Sequence, residues 1–169
     1  MQMFKNKFFI VFFVLVVAVF LDQWTKQLAI EHLKTAPTQY FFGGFFQLLY
    51  AENPGAFLGM GGNWSRSVRF VIFGVIVVIG LCAILWSVLK NKLNLNEVWA
   101  YSFILAGGVG NVIDRLTHDN GHVTDFMFID LKFSEFARTG VFNIADVAIV
   151  IGVLIAFWPS VKGLFKARS

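Results

Sequence analysis

Four predominantly apolar runs, at residues 8–21, 68–89, 98–113 and 141–158, are separated by segments that carry the charges, most of the glycines and the asparagines. Runs of this length and polarity predict helices that cross a bilayer. The first run would make roughly 21 Å of helix, short of a hydrocarbon core of about 30 Å, so its helix should continue past Asp22. The expected spans are residues 8–28, 68–89, 97–114 and 141–159 of one integral membrane domain covering 1–169. The outer segments, 29–67 and 115–140, carry a different pattern. In "YFFGGFFQLLY" two aromatic runs flank Gly43-Gly44 and predict a hairpin, followed by the turn-forming Asn53-Pro54-Gly55. In "GHVTDFMFIDLKF", Ile129, Leu131 and Phe133 alternate with Phe128, Asp130 and Lys132, as in a strand. The resulting fold class is a mainly α membrane protein: four transmembrane helices and a small extracytoplasmic sheet lying on the outer surface. Asp125 falls at the sheet's entrance, on a loop expected to be flexible.

Composition agrees with the pattern. A chain that is 57% hydrophobic, 14% charged and contains 21 Phe does not describe a soluble domain. Its net charge of +4 is not gathered into the dense basic stretches that nucleic-acid binding requires, so no nucleic-acid partner is expected. Lys5 and Lys7 ahead of the first run fit a secretory signal, but no small-x-small cleavage pattern follows, and the run is read as a retained first helix. With Lys5 and Lys7 inside, four crossings place both termini in the cytoplasm. The inner loop and tails are then short and basic, and the outer segments longer and mixed. Trp86, Trp99 and Trp158 fall at inner span ends, Trp24 and Trp64 at or beyond outer ones, as in an interfacial aromatic belt.

The polar residues inside the runs all fall in the outer half. Asp22 and Lys26 are i,i+4 neighbours able to pair and to reach the outer headgroups. A structural salt bridge is at least as good a reading of them as a reactive one. Gly107, Gly108 and Gly110 let a neighbouring helix approach closely, so that Asn111 and Arg115 point into a shared space. Counted from Val141, Asp146 sits roughly 8 Å into the fourth run, with Asn143 on the same face. A carboxylate there must face protein or water.

Two carboxylates forced together cannot both ionise. One stays a base and the other an acid, a combination that activates water and protonates a peptide carbonyl without a metal or a covalent intermediate. Asp125 and Asp146 form the best such pair. Asp114 competes, but the adjacent Arg115 would tend to hold it ionised. His118 and His122 have metal-ligand spacing, yet Asn120-Gly121 between them favours a turn. Thr25, beside Lys26, would point away from it on a helix, no G-x-S-x-G surrounds a serine, and Cys82 reads as a small packed hydrophobe. Neither a cofactor nor a metal is expected. Buried carboxylates in spans also mark ion pathways, so a small ion- or proton-coupled transporter is the alternative. Against it, the carboxylates share one leaflet and no internal repeat is visible.

Five ordered motifs, "DQWTK" at 22–26, "ENPGAF" at 52–57, "GNVIDR" at 110–115, "GHVTDF" at 121–126 and "FNIAD" at 142–146, resemble those of bacterial lipoprotein signal peptidase, the type II signal peptidase, a membrane aspartic protease. The resemblance implies Asp125 and Asp146 as the catalytic dyad. It implies Asn53, Asn111, Asp114, Arg115 and Asn143 as residues that position substrate and dyad, and Asp22 and Lys26 as structural support. Pro54 stands where Thr is common in that family, which stiffens the turn and leaves the Asn53 side chain in place. The implied substrate is a prolipoprotein carrying diacylglycerol on its lipobox cysteine, cleaved just before that cysteine. The implied setting is the bacterial cytoplasmic (inner) membrane, where a multi-pass monomer surrounded by lipid holds its active site near the outer leaflet surface.

Overall fold

The computed structural model describes residues 2–56, 60–90, 92–132 and 137–166, with side chains from Lys7 to Pro159 within those ranges. Phe57 of "ENPGAF" and Phe133 of the expected strand lie outside the described residues. Among the described residues, four helices and a three-stranded sheet follow one another as α1 (Gln2–Leu33), β1 (Gln39–Phe41), β2 (Phe46–Asn53), α2 (Arg66–Lys90), α3 (Leu95–Thr117), β3 (Val123–Ile129) and α4 (Ile144–Lys166).

The uninterrupted apolar run after Lys7 carries α1 through Asp22 and Lys26 to Leu33. Its outward face stacks aromatics one turn apart, Phe8 on Phe12, Phe9 on Phe13 and Phe20 on Trp24. The helix α2 starts at Ser65, whose hydroxyl accepts from the Val68 amide at 3.4 Å, and contains a π-helical stretch at Phe70–Ile76. Residues 7–33 and 66–90 are long and apolar enough to cross a membrane; the apolar part of α4, Ile144–Pro159, is shorter. The fold is thus mainly helical, with two membrane-length apolar helices among the described residues.

The start of α3 is fixed by a capping box in which Asn94 and Glu97 exchange side-chain-to-backbone hydrogen bonds at 3.0 and 2.8 Å. This helix is central and touches the other three. Its glycines permit that: a Cβ at Gly107 would run into the Ala145 carbonyl of α4, one at Gly108 into Leu81 of α2, and one at Gly110 would lie 2.6 Å from the Asp22 carboxylate of α1. Gly152 returns the fit from α4, facing Ala100 and Ile104.

The sheet is antiparallel in the order β1-β2-β3. The expected hairpin turns through a 3-10 segment at Phe42–Gly44, where Phe42 and both glycines take positive φ. Between β2 and β3 the register shifts between Leu48 and Ala51, so that Ala51 faces Asp125. Strand β3 lies over the end of α1, packing Phe126 on Ala29 and Leu33. Two expectations change here. The strand spans Val123–Ile129, which puts Asp125 inside it and not on a flexible loop. The fourth run becomes helical only at Ile144, so Asp146 sits in the first turn, about 3 Å along the axis from the helix start instead of roughly 8 Å deep.

Candidate active site

Asn143 is where the site is assembled. It precedes α4 as its N-cap: its side-chain oxygen accepts from the Asp146 amide at 2.9 Å, and its own amide donates to the Asp146 carboxylate at 3.2 Å. An Asn three residues ahead of an Asp thus makes a reciprocal cap, which places Asp146 where a negative group complements the helix dipole. The Asn143 side-chain NH2 turns the other way and donates to Asp125 at 2.6 Å, with Thr124 O at 3.3 Å and Asn111 Oδ1 at 3.1 Å also in reach. One fully buried residue therefore bridges a strand carboxylate and a helix carboxylate.

Each carboxylate receives a second amide. Asn111 of α3 donates to Asp146 at 2.9 Å, and Asn53 at the end of β2 donates to Asp125 at 2.9 Å. The orientation of Asn111 is settled by Lys26, whose ammonium donates to the Asn111 oxygen at 3.1 Å and leaves its NH2 for Asp146. Asn53 also shapes the turn after it: its oxygen accepts from Gly55 N at 3.0 Å and its NH2 reaches Ala56 O at 3.2 Å. Among the described residues no Lys, Arg or His nitrogen comes within 4.0 Å of either Asp125 or Asp146. Burial pushes the Asp125 carboxyl up to about 7, reinforced by the charge of Asp146 and opposed by the hydrogen bonds from Asn53 and Asn143.

A second set of buried charges lies directly behind. Lys26 bridges Asp22 at 2.8 Å and Asp114 at 3.1 Å, and all three are within a few per cent of fully buried. Asp22 accepts from Ala145 N at 2.8 Å, the residue before Asp146, and Asp114 accepts from Thr124 N at 2.9 Å, the residue before Asp125. Each of these carboxylates thus anchors the backbone next to one of the front pair. One further expectation is corrected: Asp22 and Lys26 do not reach for headgroups but pair inside the bundle, where Lys26 is also the cation bonded to Asp114. Arg115 instead grips the Asn53 turn through Gly55 O at 2.5 Å, and its guanidinium lies over Phe73. Gln23, which sequence reasoning passed over, ties this rear set together through Asp22 at 3.1 Å, Gly110 O at 3.2 Å and Asp114 at 2.9 Å. Its only sequence signal is its place inside "DQWTK".

The front pair opens into a cleft of about 680 Å³ whose walls are mostly apolar, among them Phe73, Val123, Phe142, Val147 and Val150, with Asn53, Asn111 and Arg115 at its polar end. Other candidates sit elsewhere. His118 bonds through Nδ1 to the His122 carbonyl at 2.9 Å across a turn at Asn120-Gly121, and His122 lies 3.5 Å from Glu52. Thr25 turns back to the Leu21 and Asp22 carbonyls, and Cys82 is exposed. Two carboxylates in hydrogen-bonded contact through amides, at the polar end of an apolar cleft, can divide acid and base roles toward a bound water and a peptide carbonyl.

Known proteins match this chain along most of its length. A family model for signal peptidase (SPase) II matches residues 14–162. The chain is 35% identical over 144 residues to a lipoprotein signal peptidase of Borrelia hermsii, covering 82% of each chain. It is 39% identical over 137 residues to one of Caldanaerobacter subterraneus, covering 81% of this chain and 86% of that one. Among solved structures it resembles a bacterial membrane enzyme determined by the in meso method at 2.3 Å resolution, with a TM-score of 0.76 and 28% identity over 90% of this chain and 87% of the other. None of these relatives supports the transporter alternative. Sequence, fold and cleft agree, and the chain belongs to the signal peptidase II family of membrane peptidases.

Proposed function

We propose that Asp125 and Asp146 are the catalytic dyad of this lipoprotein signal peptidase, and that they cleave a diacylglyceryl-modified prolipoprotein just before its lipidated cysteine. The observation that carries the assignment is the carboxylate pair bridged by Asn143, with no Lys, Arg or His nitrogen within 4.0 Å of it among the described residues. Asp125, whose carboxyl is pushed up to about 7, holds the shared proton in the resting enzyme, and Asp146 is the base. A water between them loses a proton to Asp146 as its oxygen attacks the scissile carbonyl, and Asp125 protonates the carbonyl oxygen. The resulting gem-diol breaks its C–N bond as the proton on Asp146 passes to the cysteine nitrogen, and a hydroxyl proton returns to Asp125. One water is consumed, and the dyad is restored.

Asn53, Asn111 and Asn143 hold the two carboxylates, and Arg115 steadies the turn that carries Asn53. Asp114, Asp22 and Lys26 anchor the backbone on either side of the dyad. The apolar walls of the cleft suit acyl chains and the apolar signal sequence. The setting is the bacterial inner membrane, where we place four crossings, both termini in the cytoplasm and the dyad near the outer leaflet surface. In support, α3 packs against both membrane-length helices and α4 against α1, the charges in the two tails are all basic, and the sheet packs over one end of the bundle. We take a single chain in lipid to be the working unit, since every group assigned here comes from one chain.

The test is cleavage by the purified chain in lipid bilayers. A diacylated prolipoprotein should be shortened at its cysteine, and folded Asp125→Asn or Asp146→Asn variants should release no product above background. Normal cleavage by either variant would remove that residue from the dyad.

A further inference from the structure

A second cavity, of about 280 Å³, lies on the far side of Arg115 from the cleft, between the start of α2 and the turn after α3. Arg66, Arg69 and Arg115 line it together with Phe70, Gly74, His118 and one carboxylate, Asp119. Arg66 and Arg69 are three apart, and Gly74, on the same side of α2, leaves space beneath them.

These three guanidinium groups share an uncommon condition. Arg66 donates to the Asp119 carbonyl, Arg69 to Pro54 O at 3.2 Å, and Arg115 to Gly55 O and to Asn111 O. Arg69 also meets the His122 ring at 3.1 Å. Among the described residues none of the three lies within 4.0 Å of a carboxylate, and the buried Nε atoms of Arg69 and Arg115 have no hydrogen-bond partner. Three forked cations around one cavity, hydrogen-bonded to neutral acceptors and outnumbering its single carboxylate, Asp119, form a receptor for a compact anion with several oxygens. Arg66 also begins a membrane-length helix and Trp64 beside it is about half exposed, so the cavity stands at the level of lipid headgroups.

We propose that this cavity binds a phosphate group, supplied by an anionic phospholipid headgroup or by free phosphate. The site is distinct from the cleft, because a diacylglyceryl group on cysteine carries no phosphate. Its occupant would touch both arginines that hold the turn after Asn53, Arg69 at Pro54 and Arg115 at Gly55. Phosphate binding would therefore brace the turn on which Asn53 reaches Asp125.

The test is native mass spectrometry of the purified full chain with added phosphatidylglycerol or inorganic phosphate. Each basic side chain at a lipid surface contributes about 1 kcal/mol, so Arg66→Gln should weaken binding about fivefold and Arg66→Gln with Arg69→Gln about 25-fold. Lys90→Gln, at the opposite end of α2, should leave binding unchanged. Arg66→Gln alone keeps the test valid if the double variant misfolds, since Arg69 also holds the turn. Binding of phosphatidylglycerol that inorganic phosphate cannot displace identifies a lipid site, and binding of inorganic phosphate alone identifies a free-anion site. Failure of both probes to bind, or binding that ignores Arg66, overturns the proposal.

Discussion

Asp22 and Asp114 share a lysine, whereas Asp125 and Asp146 share an asparagine. Both pairs lie at the same end of the helix bundle, Asp146 half-buried and the other three buried, and are joined through the same backbone, since Asp22 holds Ala145 N and Asp114 holds Thr124 N. In the rear pair Lys26 sits 2.8 and 3.1 Å from the two carboxylates and supplies the charge that two buried anions require. In the front pair the bridging group is a neutral amide, which donates hydrogen bonds without neutralising anything. Under the proposed assignment the difference teaches that burial alone does not make a carboxylate reactive: the pair bonded to its own cation is the structural post, and the pair bonded only through neutral amides is the one proposed to share a proton.

The sharpest way to break this contrast is to take the lysine away. Lys26→Met should leave Asp22 and Asp114 buried without a cation and cost about 3–5 kcal/mol, read as a large fall in thermal unfolding temperature in detergent. Cleavage should fall with it, because Lys26 also sets the orientation of Asn111. Asn143→Ala comes next. It removes both the α4 cap and the bridge to Asp125, and should cost about 1–2 kcal/mol of stability for the cap while lowering kcat by about tenfold to a hundredfold for the lost bridge. Asn53→Ala should lower kcat by about tenfold with little change in unfolding temperature, since it touches only the front pair and its turn.

The smallest effect is a slope. The Asp125 carboxyl is raised from an ordinary 3.8 to about 7, so between those values the folded chain binds a proton that the unfolded chain has released. Asp125 therefore makes stability fall as pH rises through that interval, and Asp125→Asn should flatten this part of the profile measured by thermal unfolding. Cleavage by the parent enzyme should decline as pH rises through about 7, as the proton on Asp125 is lost.

Much of this is legible in the sequence. The apolar runs gave the helices, and the glycines of "GGVGN" marked the close approaches of α3 to its neighbours. The pairing of Asp22 with Lys26 followed from helical spacing. What the pattern misplaced has physical causes. Val141 and Phe142 are as apolar as the helix after them, but Phe142 bridges to Met127 of β3, so the run alone cannot show that α4 waits for its Asn143 cap. Asp125 looked like a loop residue because alternation is clear only beyond it, whereas Val123 to Phe126 are buried on both faces and show no period. The pattern also could not show which cation bonds Asp114, because Lys26 arrives from another helix, α1, while Arg115 points toward the Asn53 turn.

One measurement separates the two pairs directly: cleavage of a diacylated prolipoprotein by Asp22→Asn, Asp114→Asn, Asp125→Asn and Asp146→Asn, each normalised to folded protein in bilayers. The account predicts no product above background for the Asp125 and Asp146 variants, a loss of at least about 10²-fold to 10⁴-fold, and residual cleavage for Asp22 and Asp114. Cleavage that survives in Asp125→Asn while Asp114→Asn is inert would contradict it, and would move the chemistry to the pair that holds the lysine.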